Sequence, residues 1–146
     1  MKITWVIIAL VAGAFLPIQA GLNTRLGKAI ESPVHASLIS FIVGAFTVLL
    51  YSILTKQHVA WAGWRMAPSY VWIGGLLGAF YVTAIILAFP RIGPALTFGF
   101  VVAGQMIMSV LLDHFGILVT EQHSINLWKL LGIVLIVTGV VIIRKF

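Results

Sequence analysis

No cysteine occurs among the 146 residues, which excludes a disulfide framework and any thiolate metal site. Acid is almost as scarce, with Glu31, Asp113 and Glu121 the only carboxylate side chains beside nine Lys and Arg. The four histidines stand singly, and no pair at i, i+4 joins a carboxylate to suggest a metal ligand set. No metal, no cofactor and no enzyme site is expected. Charged residues make up 8% of the chain and hydrophobic ones 62%, a balance that rules out a soluble globular domain.

Five apolar runs fill the chain instead, at residues 3–22, 33–54, 70–89, 95–112 and 127–143. About 20 helical residues cross a hydrocarbon core roughly 30 Å thick. The expected fold is therefore an all-α bundle of five transmembrane helices, forming one integral membrane domain over residues 1–146. Five is odd, so the two ends lie on opposite sides of the bilayer. Ser32 and Pro33 predict an N-cap followed by a proline at the first helical position, where its missing N–H costs nothing. Gly93 and Pro94 repeat that pattern for the fourth span, leaving residues 90–94 as the connection from the third. Lys2 and the run ending at Ile18, Gln19 and Ala20 resemble a secretory signal peptide, but Ile18 stands where a small residue is required. The run is read as a retained first helix.

The formal charge of +6 does not point to nucleic acid, because the basic residues sit at span ends, where Lys and Arg snorkel to headgroups. Lys2, Lys56, Arg65 and Lys129 fall on the side of the N-terminus; Arg25, Lys28, Arg91, Arg144 and Lys145 fall on the other, four against five of the nine. Orientation follows the excess of Lys and Arg in short cytoplasmic loops, and a difference of one gives almost no preference. Insertion both ways round and a single orientation with the C-terminus inside both remain open on this count.

Small residues four apart allow close approach of helices in lipid. They occur as Ala9, Gly13, Pro17 and Gly21 on the first span, Ala36, Ser40 and Gly44 on the second, Gly75, Ala79 and Thr83 on the third, and Ala95, Gly99 and Ala103 on the fourth. The fifth span is mostly Leu, Ile and Val and is expected to be a scaffold or association surface. Within the first span Pro17 removes the bond to the carbonyl of Gly13, a candidate hinge, and Gln19 and Asn23 follow one turn apart on one face. Carboxamides both donate and accept hydrogen bonds, so this face is a candidate small-solute site. Alternatively the two amides bond across helices as glue, or Asn23 caps the end of the helix. Tyr81 and Thr83, and Gln105 and Ser109, are the other polar groups at membrane depth. Tyr81 and Gln105 complete the candidate substrate wall, although for Tyr81 a packing or interfacial role competes.

No Asp, Glu, Lys or Arg lies near the middle of any span. Proton or cation antiport commonly needs an intramembrane carboxylate, and that carrier is missing. His35, in the first turn of the second span, and Asp113, at the end of the fourth, are the candidate coupling groups. Asp113 reads more simply as an interfacial ion-pair partner than as a proton carrier.

The run Pro17, Ile18, Gln19, Ala20, Gly21, Leu22, Asn23, then Ser32, Pro33, Val34, His35, Ala36 and Ser37, resembles the YdcZ-type branch of the drug/metabolite transporter superfamily. So do Gly74, Gly75, Leu76, Leu77, Gly78, Ala79, Phe80 and Tyr81, and Val102, Ala103, Gly104 and Gln105 leading to Asp113, His114, Phe115 and Gly116. The resemblance runs from about Pro17 to Gly116. It implies a multi-pass protein of the bacterial inner membrane, one half of an inverted-repeat ten-helix assembly with a cavity at mid-membrane. It also implies an antiparallel, dual-topology homodimer. The related small multidrug resistance proteins couple through a glutamate in their first helix, and this chain has none there. The expected function is alternating-access transport of a small organic solute, with the chain itself and the lipid bilayer as partners and no nucleic acid. The alternatives are a passive channel and a non-transport subunit of a larger membrane complex.

Overall fold

The computed structural model describes residues 2–119 and 121–145. Its elements are α1 (Lys2–Ala29), α2 (Pro33–Leu54), a short α3 (Trp61–Met66), a 3-10 turn (Ser69–Trp72), α4 (Ile73–Ile92), α5 (Pro94–Phe115) and α6 (Leu127–Lys145). Five helical stretches are long and apolar enough to cross a membrane, the third of them combining the 3-10 turn with α4. Among the described residues only Ala20, Ala36, Ile85, Ile86, Ala103 and Val140 are buried apolar side chains. Exposed Leu, Ile, Val and Phe run along α1, α2, α4, α5 and α6. Helices apolar all round need an apolar surrounding, and lipid supplies it.

The helix ends follow local chemistry. Ser32 caps α2, its hydroxyl accepting from the His35 N–H, with Pro33 at the first position. Just before it, α1 closes with the Ser32 N–H donating to the Gly27 carbonyl at 2.9 Å while Glu31 takes φ of 54°. This left-handed closure usually recruits glycine. Gly93, at φ 80° and ψ 163°, caps α5 in backbone space that L-residues avoid, and Pro94 follows.

Several boundaries differ from those read off the sequence. α1 continues past Leu22 to Ala29, so Asn23 lies inside the helix and is not its cap. Nothing in residues 23–29 breaks a helix, and the polar side chains there had suggested an end that backbone propensity does not require. Likewise α4 runs through Pro90 to Ile92. Pro90 removes the bond to the Ile86 carbonyl and crowds it, yet the helical backbone continues to Ile92, so Gly93 alone separates α4 from α5. Residues 55–69 contain the unanticipated α3.

The chain divides into two units, Met1–Pro90 and Arg91–Phe146. In the first, α1 packs on α2, and α4 reaches both at glycines. A Cβ on Gly27 would meet Ala36 and Ile86 at 3.5 Å, and one on Gly78 would meet the Phe41 ring at 3.7 Å. In the second, α5 packs on α6 with Val140 seated against Gly99. A Cβ on Gly99 would lie 2.9 and 3.0 Å from the two Val140 methyls. Valine has one favoured rotamer in a helix and cannot swing away. Gly99→Ala should therefore destabilise the α5–α6 pair by about 1–3 kcal/mol, and Val140→Ala in the same chain should restore most of that loss. Thermal melts of the two single variants and the double variant check this, and the absence of rescue would exclude the contact as the cause.

Candidate functional site

In the first unit the helices meet through a seam of small polar groups. Ala20, Asn23, Thr24 and Gly27 form the buried face of α1, at the three- and four-residue spacing of one helical stripe. Opposite them α2 buries Ala36 and Ser37. The Asn23 amide donates to Ser40 Oγ at 3.1 Å, joining α1 to α2. The Thr83 hydroxyl of α4 donates to Ser37 Oγ at 3.0 Å, and Ser37 donates in turn to the Pro33 carbonyl at 3.1 Å. Two further hydroxyls, of Thr24 and Tyr81, are buried with no hydrogen-bond partner among the described residues. Each such group carries a desolvation penalty until water or a ligand satisfies it.

Beside this seam lies a cleft of about 420 Å³ lined by Gln19, Ser40, Phe41, Gly44, Ala45, Val48 and Val82. No lining residue is ionisable. The Gln19 carboxamide makes no hydrogen bond to any described residue, so both its donor and its acceptor face are available. Ser40 accepts from Asn23, which leaves its own proton to donate. The cleft thus offers an amide and a hydroxyl against a wall of Phe, Val and small residues, arranged for an uncharged or weakly polar solute.

The residues singled out from the sequence occupy distinct places. Gln19 lines the cleft, and Asn23 stands behind it, holding Ser40. Tyr81 is half-buried on α4 and lies outside the lining residues. Gln105 is exposed on α5, in the second unit. Pro17 lies within an unbroken α1, half-buried, and Gly13 is exposed with open space where a side chain would go. His35 Nδ1 lies 2.7 Å from Ser32 Oγ at the start of α2. Asp113 pairs with Lys129 at 3.3 Å, both partly exposed. Sequence reasoning named Ser37 only within the family motif, passed over Thr24 and treated Ser40 as a packing residue. The signal available was the pair of hydroxyls at 37 and 40, three apart on one helix face.

The family model described as "Putative inner membrane exporter, YdcZ" matches residues 4–142, a stretch that includes most of every membrane-crossing helix. The chain belongs to the YdcZ family. It is 35% identical over 124 residues to the inner membrane protein YdcZ of Escherichia coli (strain K12), an alignment covering 83% of this chain and 78% of that protein. No solved structure matches. Family membership and the five apolar helices make this a multi-pass protein of the inner membrane.

The Asn23–Ser40 bond is a direct side-chain link between α1 and α2 that borders the cleft. Asn23→Ala and Ser40→Ala should each lower the melting temperature. A double-mutant cycle should return a coupling of about 0.5–1.5 kcal/mol, the net worth of a neutral hydrogen bond. Additive effects would mean that the bond contributes nothing in the membrane.

Proposed function

We propose that this YdcZ-family membrane transporter is one half of an antiparallel homodimer of ten crossing helices, which moves a small organic solute by alternating access. The observation that carries this reading is the uncharged cleft between α1, α2 and α4, where Gln19 and Ser40 present free hydrogen-bonding groups within membrane-crossing helices. Transporters built from inverted repeats hold their substrates near the bilayer midplane, between elements of opposite orientation. A tally of four basic residues against five gives almost no preference of orientation, which permits a chain that inserts both ways round, so that two copies supply the inverted pair.

Within this reading Pro17 serves as the hinge of α1. It cannot donate to the Gly13 carbonyl, and no neighbouring side chain fills the space at Gly13. Gln19 and Ser40 bind the solute, Asn23 fixes Ser40, and the unpartnered Tyr81 hydroxyl is satisfied by water or solute during the cycle. Gln105, exposed on α5, is available to the partner copy. The spans hold no carboxylate at mid-depth, so proton coupling would fall to His35 and Asp113 at helix ends.

Fusing the C-terminus to a reporter active only in the cytoplasm, and separately to one active only outside it, should give substantial signal from both at low expression. Two lysines added to the loops of one end should shift insertion strongly towards one reporter. Signal from a single reporter with the unmodified chain would overturn the antiparallel homodimer.

The cleft has its own test at Gly44, whose added Cβ would meet nothing within 4 Å. Gly44→Leu should therefore fill the cleft while leaving the melting temperature of the unliganded protein nearly unchanged. Metabolites that raise the melting temperature of the unmodified protein, because a ligand stabilises the state it binds, should no longer do so in the variant. Retained shifts would move the binding site elsewhere.

A further inference from the structure

The aromatic residues of the first unit are unevenly placed. By alternation of crossings, the start of α1, the end of α2 and the start of α4 share one end of the unit. That end carries Trp5, Tyr51, Trp61, Trp64, Tyr70 and Trp72, all exposed. The opposite end, at residues 26–34 and 89–91, has no tryptophan or tyrosine. The segment between α2 and α4 is also built, because α3 and the 3-10 turn bring indoles together. The Trp64 ring centre lies 6.1 Å from that of Trp61 and 4.9 Å from that of Trp72. Trp61, Ala62, Trp64, Arg65 and Met66 line a cleft of about 630 Å³.

The chemistry of that cleft is specific. Trp61 is 70% exposed and Met66 82%, too much apolar surface to face water in a segment so close to the bilayer. The indole N–H groups of Trp61 and Trp64 bond to no described residue, and the Arg65 guanidinium has no described ion-pair partner. Residues 55–72 contain Lys56 and Arg65 and no carboxylate. Indoles settle at headgroup depth with the ring in the acyl boundary and the N–H towards ester oxygens. Guanidinium binds phosphate oxygens in a planar fork.

We propose that residues 61–72 form an in-plane seat for the headgroup of an anionic phospholipid. Arg65 holds the phosphate, the Trp61 and Trp64 indoles donate to the glycerol ester carbonyls, and Ala62 and Met66 meet the first carbons of an acyl chain. The charge balance selects an anionic headgroup over a zwitterionic one, whose ammonium would lie beside Lys56 and Arg65 without a carboxylate to receive it. The helices bounding the segment, α2 ending at Leu54 and α4 starting at Ile73, hold it at the bilayer surface. This seat is independent of the solute cleft and of the dimer.

The test uses the full chain with Trp5→Phe and Trp128→Phe, so that emission comes from Trp61, Trp64 and Trp72. It is reconstituted in vesicles of phosphatidylcholine and phosphatidylglycerol at two to one. One lipid class or the other is brominated near the ester, at equal mole fraction. Brominated phosphatidylglycerol should quench more strongly than brominated phosphatidylcholine, with a local enrichment of about fivefold, the attraction of one basic residue to an anionic surface. Arg65→Gln should abolish the difference, Arg65→Lys should keep part of it, and Arg25→Gln at the opposite end should leave it intact. Equal quenching by the two lipids in the unsubstituted-Arg65 protein overturns the proposal without any variant. An unchanged preference in folded Arg65→Gln, judged by circular dichroism, overturns it as well. Loss of the preference on adding millimolar inorganic phosphate at constant ionic strength would show an aqueous phosphate site instead.

Discussion

In lipid no water is available to a backbone amide or carbonyl, so every peptide group in a crossing segment must find its partner within the protein. That constraint makes the spans helical and governs how each one stops. The closure of α1 at Glu31, the serine cap of α2 and the glycine before α5 are three solutions to the same need, each placed where the chain leaves the apolar zone. It also disposes of several hydroxyls. Thr47 donates to the Val43 carbonyl at 2.8 Å, Thr97 to Gly93 at 2.7 Å and Thr138 to Val134 at 2.7 Å. These side chains fold back on their own helices and present little polarity to a neighbour.

Against that background a small group of hydroxyls and amides in the first unit reaches another helix, and Ser37 among them also donates back to the Pro33 carbonyl. Asn23, Ser37, Ser40 and Thr83 bond between helices, while Thr24 and Tyr81 remain unpartnered. Glycines at 27 and 78 lie where the helices approach, and a Cβ there would come into van der Waals contact with Ile86 at 3.5 Å or the Phe41 ring at 3.7 Å. Packing and polarity are therefore one arrangement. The glycines bring the backbones together, and the small polar side chains occupy the narrow space that results.

Charge is excluded from the crossing segments and returns at their ends, where the ion pair of Lys129 with Asp113 and the Ser32–His35 cap reside. The cleft beside Gln19 presents dipoles and apolar surface only. Removing a full charge from water into such a place is expensive without a counter-charge. The two ends differ in character as well, one dressed in tryptophan and the other in charge alone.

Composition and local pattern were enough to determine five crossings, the caps at Ser32 and Gly93, the placement of Lys and Arg at span ends and the absence of a mid-span acid. Each depends on residues within a turn or two of one another, or on none beyond themselves. The resemblance in the motifs around Pro17 and Gln105 was equally legible, and the family match bears it out. The length of α1 was misjudged because Asn23, Arg25 and Lys28 read as an interface, whereas helix propagation continues until a closing conformation is supplied at Glu31. Tertiary structure alone decided that Asn23 meets Ser40, 17 residues away, and that Ser37 meets Thr83, 46 residues away. It alone separated Gln19, which faces the cleft, from Asn23 one turn later, which faces a helix. Such pairings depend on the rotation and depth at which separate helices pack, and those are fixed by side-chain shapes from distant parts of the chain that no local pattern brings together.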